Sequence, residues 1–180
     1  MESSPRKDHQ QEWFEQIERV YRLSEHAVMD CAGSCDGACE TYKPETVLFL
    51  PYELEYILDQ AGLNEDPFQT IGLPSGRYGM LDYHQSCPFL IYKGCGIRPY
   101  RPFDCRSFPI YPWFPDSPHD PLEFYLASYC PLKDRLGSAY TDCIVESWRI
   151  LLPHLPSDWK AHYNSLCHYQ ERLRSQPDQL

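Results

Sequence analysis

Residues 87–109 read Cys87-Pro-Phe-Leu-Ile-Tyr-Lys-Gly-Cys95-Gly-Ile-Arg-Pro-Tyr-Arg-Pro-Phe-Asp-Cys105-Arg-Ser-Phe-Pro109. Thiolates bind Zn²⁺ at about 2.3 Å, and the same ligands bind iron–sulfur clusters. The surrounding stretch, residues 87–131, contains nine prolines and is rich in aromatic residues. Because proline removes a backbone donor and fixes φ, long helices and central strands are not expected there. A bound metal would supply the missing order.

The stretch is also locally basic. Between residues 93 and 106 there are four basic residues and one acid, Asp104, in a chain whose formal net charge is −10. A four-thiolate site is anionic even around Zn²⁺, so neighbouring cations favour the thiolate form of its cysteines. Arg101 and Arg106 are therefore the expected charge partners of the cysteines.

The chain has nine cysteines, and seven of them are candidate ligands. The segment Cys31-Ala-Gly-Ser-Cys35-Asp-Gly-Ala-Cys39 would align its sulfurs on one face of a helix, although its two glycines equally allow a wrapped loop. Cys130, like Cys87, precedes a proline. The expected ligands are Cys31, Cys35, Cys39, Cys87, Cys95, Cys105 and Cys130. Cys143 and Cys167 each lie alone in a predicted amphipathic helix, where a small buried hydrophobe is expected.

Composition excludes several classes of protein. The excess of 26 acidic over 16 basic residues argues against nucleic-acid binding. No apolar run approaches the length of a membrane span, and the first ten residues lack the apolar core of a secretory signal. We therefore expect a cytoplasmic protein without a membrane partner. In a reducing compartment, grouped cysteines indicate a metal site rather than disulfides.

The predicted fold class is mainly α with irregular, proline-rich loops and few short strands, in a small single domain organised around a cysteine metal cluster. Residues 1–9 are expected to be a disordered lead and 175–180 a loose tail. The domain spans 10–174, with a motif core at 30–132 and C-terminal helices at 138–172. Of the acidic residues, 15 lie within positions 1–66, so the acidic N-terminal helix is a candidate surface for a protein partner.

Helical spacing of apolar residues predicts helices over 10–29 and 51–61, the second closed by Gly62. Glu53 and Glu55 do not face each other at this spacing, and we expect them on a solvated face. Residues 63–76 are predicted as loop, and 77–83 and 89–92 as short strands. The C-terminal helices should bury two stripes, which comprise Tyr140, Ile144, Trp148 and Leu151 and then Trp159, Tyr163, Leu166 and Leu173.

The pattern resembles the YkgJ-like, or CxxCxxCC, cysteine-cluster family, a zinc- or iron-chelating domain. That family shows a glycine-containing cysteine cluster, a cysteine in a C-x-x-L-like setting, then C-x-I-x-x-x-R-P-x-x-C-R-x-F-P, and finally an isolated cysteine. Residues 95–109 fit the third element in register, Cys87-Pro-Phe-Leu fits the second, and Cys130 the last. The first cluster departs from the family pattern, because Ala38-Cys39 stands where a doubled Cys-Cys is common.

The resemblance implies a metal-binding protein in which Zn²⁺ and an iron–sulfur cluster both remain open, as do one centre and two. The resemblance extends distantly to flagellin lysine N-methylases. It therefore implies an alternative function, that of an iron–sulfur-dependent oxidoreductase or protein-modifying enzyme. The chain has no G-x-G-x-x-G-like loop for a nucleoside cofactor, and Cys35 and Cys39 do not meet the C-x3-C-x2-C spacing of radical enzymes.

Overall fold

The structure, a computed structural model, describes residues 5–25, 46–63, 68–81, 88–91, 94–117, 119–127, 130–166 and 171–172. About half of these residues are helical, and the others include short strands in two three-stranded sheets and one two-stranded hairpin. The prediction of a small single domain with much helix and few short strands is confirmed. Its organisation around a cysteine cluster stays a prediction.

The helices are α1 (Pro5–Glu25), α2 (Glu53–Ala61), the short α3 (Phe103–Ser107), α4 (Ser138–Leu151) and α5 (Ser157–Leu166), with 3-10 turns at Arg98–Tyr100 and Lys133–Arg135. Helix α1 packs against α2, α3 and α4. It begins at Pro5 rather than at Gln10, so residues 5–9 belong to the helix. Proline suits a first helical turn, because the amide donors there have no partner within the helix. Residues 26–29 lie outside the described part.

Helix α2 ends as its sequence predicts. Gly62 adopts φ +62°, a left-handed conformation that glycine reaches without a steric penalty. Its N–H lies 3.3 Å from the Asp59 carbonyl, and the Leu63 N–H donates to the Leu58 carbonyl at 3.1 Å. These bonds satisfy carbonyls that the helix end would otherwise leave unpaired.

The strands are β1 (Val47–Leu48), β2 (Gln69–Leu73), β3 (Gly76–Leu81), β4 (Leu90–Ile91), β5 (Gly94–Cys95), β6 (Ile110–Trp113), β7 (Glu123–Leu126) and β8 (Glu171–Arg172). The first sheet has the order β1-β3-β2, and all its pairs are antiparallel. The prediction of loop over 63–76 is wrong for β2. Residues 69–73 lack a clear apolar alternation, and their strand is defined by pairing with β3, for example Ile71 with Tyr78.

The third sheet has the order β6-β7-β8, again antiparallel. Pro112 stands in β6, an edge strand, where a missing ladder donor is tolerated. Glu171–Arg172 pair with β7 and are not the end of a helix, so the helical prediction for 138–172 is wrong at these two residues. They pair with Tyr125 and Leu126 of a distant segment, and the sequence of the C-terminal segment alone does not indicate this pairing.

An aromatic cluster forms the centre of the core. Phe103, Phe114, Trp148, Trp159 and Tyr163 are buried, and neighbouring rings lie 4.9–5.9 Å apart between centroids. The predicted buried stripe of α4 is confirmed in full, and that of α5 at Trp159 and Tyr163. Within the described residues, no helix combines the length and the apolar content that crossing a membrane requires.

Candidate functional site

The segment between Cys95 and Cys105 is held in shape by the arginine that follows it. Pro99 and Pro102 restrict its backbone, and the buried Arg106 side chain reaches back to it. The Arg106 Nε donates to the Arg101 carbonyl at 3.1 Å, and a terminal guanidinium nitrogen donates to the Pro99 carbonyl. This clamp fixes the basic loop, which we define as residues 97–102.

Arg106 is only 8% exposed, and an aromatic ring covers its guanidinium. Its guanidinium carbon lies 3.8 Å from the centroid of the Tyr21 ring in α1, a cation–π contact. Burial lowers the pKa of Arg106, Tyr21 raises it, and the neighbouring Arg101 lowers it further. The guanidinium stays protonated, because arginine does not lose its proton in proteins at ordinary pH.

Glu53 is fully buried at the start of α2, so the expectation of a solvated face is wrong for this residue. One carboxylate oxygen accepts the Tyr21 hydroxyl at 2.8 Å and the Phe103 N–H at 2.6 Å, and the other accepts the Leu50 N–H at 2.8 Å. Burial raises the pKa of Glu53, and these three hydrogen bonds and then Arg106 oppose that shift. One carboxylate therefore joins α1, the segment that follows β1 and the first residue of α3.

Asp104 ties the same short helix to the C-terminal part of the chain. It is buried, and it accepts a 2.6 Å hydrogen bond from the Tyr163 hydroxyl of α5. The hydroxyl of Tyr140 in α4 lies 2.7 Å from the Phe108 carbonyl, directly after α3. Helices α4 and α5 thus fix the helix that carries Cys105, together with α1, β1 and β6, which also pack against α3.

The structure describes three of the seven candidate ligands. Cys95 ends the β4–β5 hairpin opposite Leu90, and Cys105 is the central residue of α3; both are half-buried. Cys130 is buried, and its N–H donates to the carbonyl of Ala127, the residue after β7, at 3.1 Å. Cys31, Cys35, Cys39 and Cys87 lie outside the described residues, as does Cys167, while Cys143 is half-buried on α4.

The structure brings Arg101 and Arg106 into one cleft, whose volume is about 650 Å³. Its walls come from α1, from α2 and from the basic loop, which is followed by Arg106. The surface it exposes is mostly apolar. The lining residues are Glu18, Tyr21, Arg22, Glu25, Tyr56, Arg98, Pro99, Tyr100, Arg101 and Arg106.

Two residues of this site, Glu53 and Tyr21, were not predicted from the sequence, although the spacing of Glu53 does indicate that it is buried. Glu53 stands three and four residues before Tyr56 and Ile57, so helical spacing puts it on the buried face that these residues define. Tyr21 lies within the helix predicted over 10–29, and nothing in its spacing indicated the guanidinium above its ring.

Among the described residues, no group of three or more His, Cys, Asp or Glu side chains is close enough to hold a metal ion. Cys95, Cys105 and Cys130 therefore do not form a complete site with one another. Comparisons with models of protein families, with curated proteins and with solved structures find no match to this chain.

Proposed function

We propose that this protein is a cysteine-ligated metal protein. In this proposal Cys31, Cys35, Cys39, Cys87, Cys95, Cys105 and Cys130 supply thiolates to Zn²⁺ or to an iron–sulfur cluster, and the bound metal contributes at least to the stability of the fold. Because the three described cysteines do not make a site alone, the centre has to draw on the segments that carry the other four.

The observation that carries the proposal is the position of Cys95 and Cys105 on either side of the basic loop. Both residues are half-buried and pack against the edge of the hydrophobic core, and the loop between them is clamped by Arg106. Holding a pair of ligands on a fixed backbone lowers the ordering cost of metal binding. The neighbouring guanidinium groups would offset the negative charge of thiolates.

Metal analysis of protein purified without air tests this proposal. We expect a reproducible metal-to-protein ratio of at least one for zinc, or of several irons with equal sulfide for a cluster. An iron–sulfur protein would be brown with absorbance near ~400 nm, whereas a zinc protein would be colourless. Folded protein that holds neither metal, and that takes up neither when supplied with it, would contradict the proposal.

A second candidate function, an iron–sulfur oxidoreductase or protein-modifying enzyme, is favoured by one observation. The cleft beside the cysteine motif is within the ~300–1,000 Å³ range of small-molecule sites. An enzyme needs a redox-active centre close to such a cleft. A colourless metal that does not exchange and does not change oxidation state would count against it.

The partner surface on α1 stays a prediction. Its exposed side carries Glu12, Glu15, Glu18 and Glu25, but Arg19 and Arg22 are interspersed among them. Mixed charge of this kind is what a solvated helix face also presents. A partner would therefore have to be identified by binding and not by charge alone.

A further inference from the structure

We propose that the cleft between α1, α2 and the basic loop binds a small organic anion, a carboxylate or phosphate attached to a planar or apolar group. The proposal does not depend on the metal, because it rests only on described side chains that line the cleft. It assigns to this cleft a ligand that the metal proposal does not require.

Two of the four arginines in the cleft are already engaged. Arg22 contacts Glu18 one helical turn earlier, at 3.2 Å, in an exposed pair. Arg106 donates hydrogen bonds to the carbonyls of Pro99 and Arg101, and its guanidinium stacks on the Tyr21 ring. Arg22 is exposed but already paired, and Arg106 is buried, so neither presents an unengaged guanidinium to an incoming anion.

Arg98 and Arg101 are different. Neither side chain makes a hydrogen bond or ion pair with another residue in the part of the chain that the structure describes. Arg101 is half-buried, and Arg98 is exposed. Their backbone is the loop that Arg106 clamps, so the two side chains extend from a backbone that is held in place. Guanidinium groups bind carboxylate and phosphate through paired hydrogen bonds, and prepositioning reduces the entropy lost on binding.

The cleft's acids do not cancel this charge. Glu18 faces Arg22, which leaves Glu25 as the second carboxylate in a lining that contains four arginines. Arg101 and Arg106 line the same cleft, and the Arg106 side chain donates to the Arg101 carbonyl, so their like charges lie close together and repel each other. A bound anion would relieve that repulsion.

The aromatic residues that line the cleft determine which uncharged group of a ligand it can hold. The rings of Tyr21, Tyr56 and Tyr100 line the cleft. Burial raises the pKa of Tyr21 and of Tyr56, so both phenols stay neutral. Neutral phenol rings pack against planar or apolar groups, and the guanidinium groups take the charged end. An inorganic ion would leave most of the cleft unfilled.

Calorimetric titration of the full protein, with its metal as purified, tests the proposal with phenyl phosphate, benzoate and the neutral benzyl alcohol. We expect either anion to bind and benzyl alcohol not to bind. Arg98→Gln and Arg101→Gln should each weaken binding about tenfold, and higher salt should weaken it in the wild type. The control is Arg149→Gln, which removes the same charge from an exposed position on α4 outside the cleft.

Three results would overturn the proposal. The first is absence of binding at millimolar concentrations of both anions, and the second is equal binding of benzyl alcohol. The third is loss of metal from Arg98→Gln or Arg101→Gln in step with loss of anion binding, because the arginines would then serve the metal centre. Retained metal with weakened anion binding supports the separate site, and a metal-free wild type that binds the anions would overturn only the metal proposal.

Discussion

The Phe49 ring lies against the backbone of Gly79 so closely that no side chain fits between them. A Cβ on Gly79 would stand 2.5 Å from Cδ2 and 2.9 Å from Cγ of Phe49. The ring cannot easily retreat, since it is fully buried and packs at 4.9 Å on Phe68. The backbones are also joined, because the Phe49 N–H donates to the Gly79 carbonyl at 2.9 Å.

Gly79→Ala should therefore lower the free energy of unfolding by about 1–3 kcal/mol, the usual cost of overpacking a core. Urea denaturation measures this as a lower midpoint. The matched control is Gly72→Ala on the adjacent strand β2, where a Cβ meets nothing within 4 Å. Equal midpoints for the two variants would mean that the Phe49 ring has room to move.

Glu53→Gln should destabilise the protein although it preserves shape. Each carboxylate oxygen accepts a backbone N–H, from Phe103 or from Leu50. An amide has one oxygen, so its NH2 group would face one of these donors and leave a buried N–H unpaired. The expected loss is about 1–3 kcal/mol.

The control for this variant is Glu55→Gln, at an exposed position on the same helix, and its effect should stay within about 0.5 kcal/mol. Chemical denaturation of both proteins at one pH makes the comparison. If Glu53→Gln unfolds at the wild-type midpoint, the three hydrogen bonds of Glu53 do not stabilise the fold.

Stability should fall as pH rises above about 10, the ordinary value for tyrosine, and Tyr21 should account for part of the fall. Burial raises the pKa of Tyr21 well above that value, and the charge of Glu53 raises it further. The folded state then holds a proton that the unfolded state releases, so the unfolding free energy decreases with pH, by up to about 1.4 kcal/mol per pH unit for one proton.

Tyr21→Phe removes this proton. The variant should be less stable at neutral pH, because the hydrogen bond to Glu53 is lost, but its stability should depend less steeply on pH above 10. Urea denaturation in steps from pH 8 to 11 gives both quantities. Identical slopes for the variant and the wild type would show that Tyr21 does not hold its proton in this way.

Elements that depend on residues close in sequence could be predicted, whereas elements that depend on contacts with distant segments could not. The periodic helices were predictable because their signal is local, as the buried stripe from Tyr140 to Leu151 and the Gly62 cap show. Strand β2 was not, because its identity lies in pairing with β3. The early start of α1 at Pro5 was missed since residues 5–9 carry no apolar repeat.

The candidate site was only partly predictable, because it depends on contacts between segments that are distant in sequence. The basic character of residues 93–106 predicted Arg101 and Arg106 as charge partners of the cysteines, which stays a prediction, and the structure places both arginines in one cleft. That Arg106 would clamp the loop and stack on Tyr21 depends on the packing of α1 against α3, which brings together positions 85 residues apart in sequence. Burial of Glu53 depends in the same way on Phe103.

The last prediction separates ligand cysteines from structural ones. Cys105→Ser should lower metal content, because serine is a poor ligand for soft metals, and should lower the yield of folded protein with it, because ligation and folding are coupled. Cys143→Ser is the matched control: the residue is also half-buried and helical, but it has no place in the motif. Metal content per folded protein, measured after anaerobic purification, should fall for Cys105→Ser and stay at the wild-type ratio for Cys143→Ser. Full metal content in the Cys105 variant would remove that residue from the ligand set, whereas loss in the Cys143 variant would add a ligand that the motif does not predict.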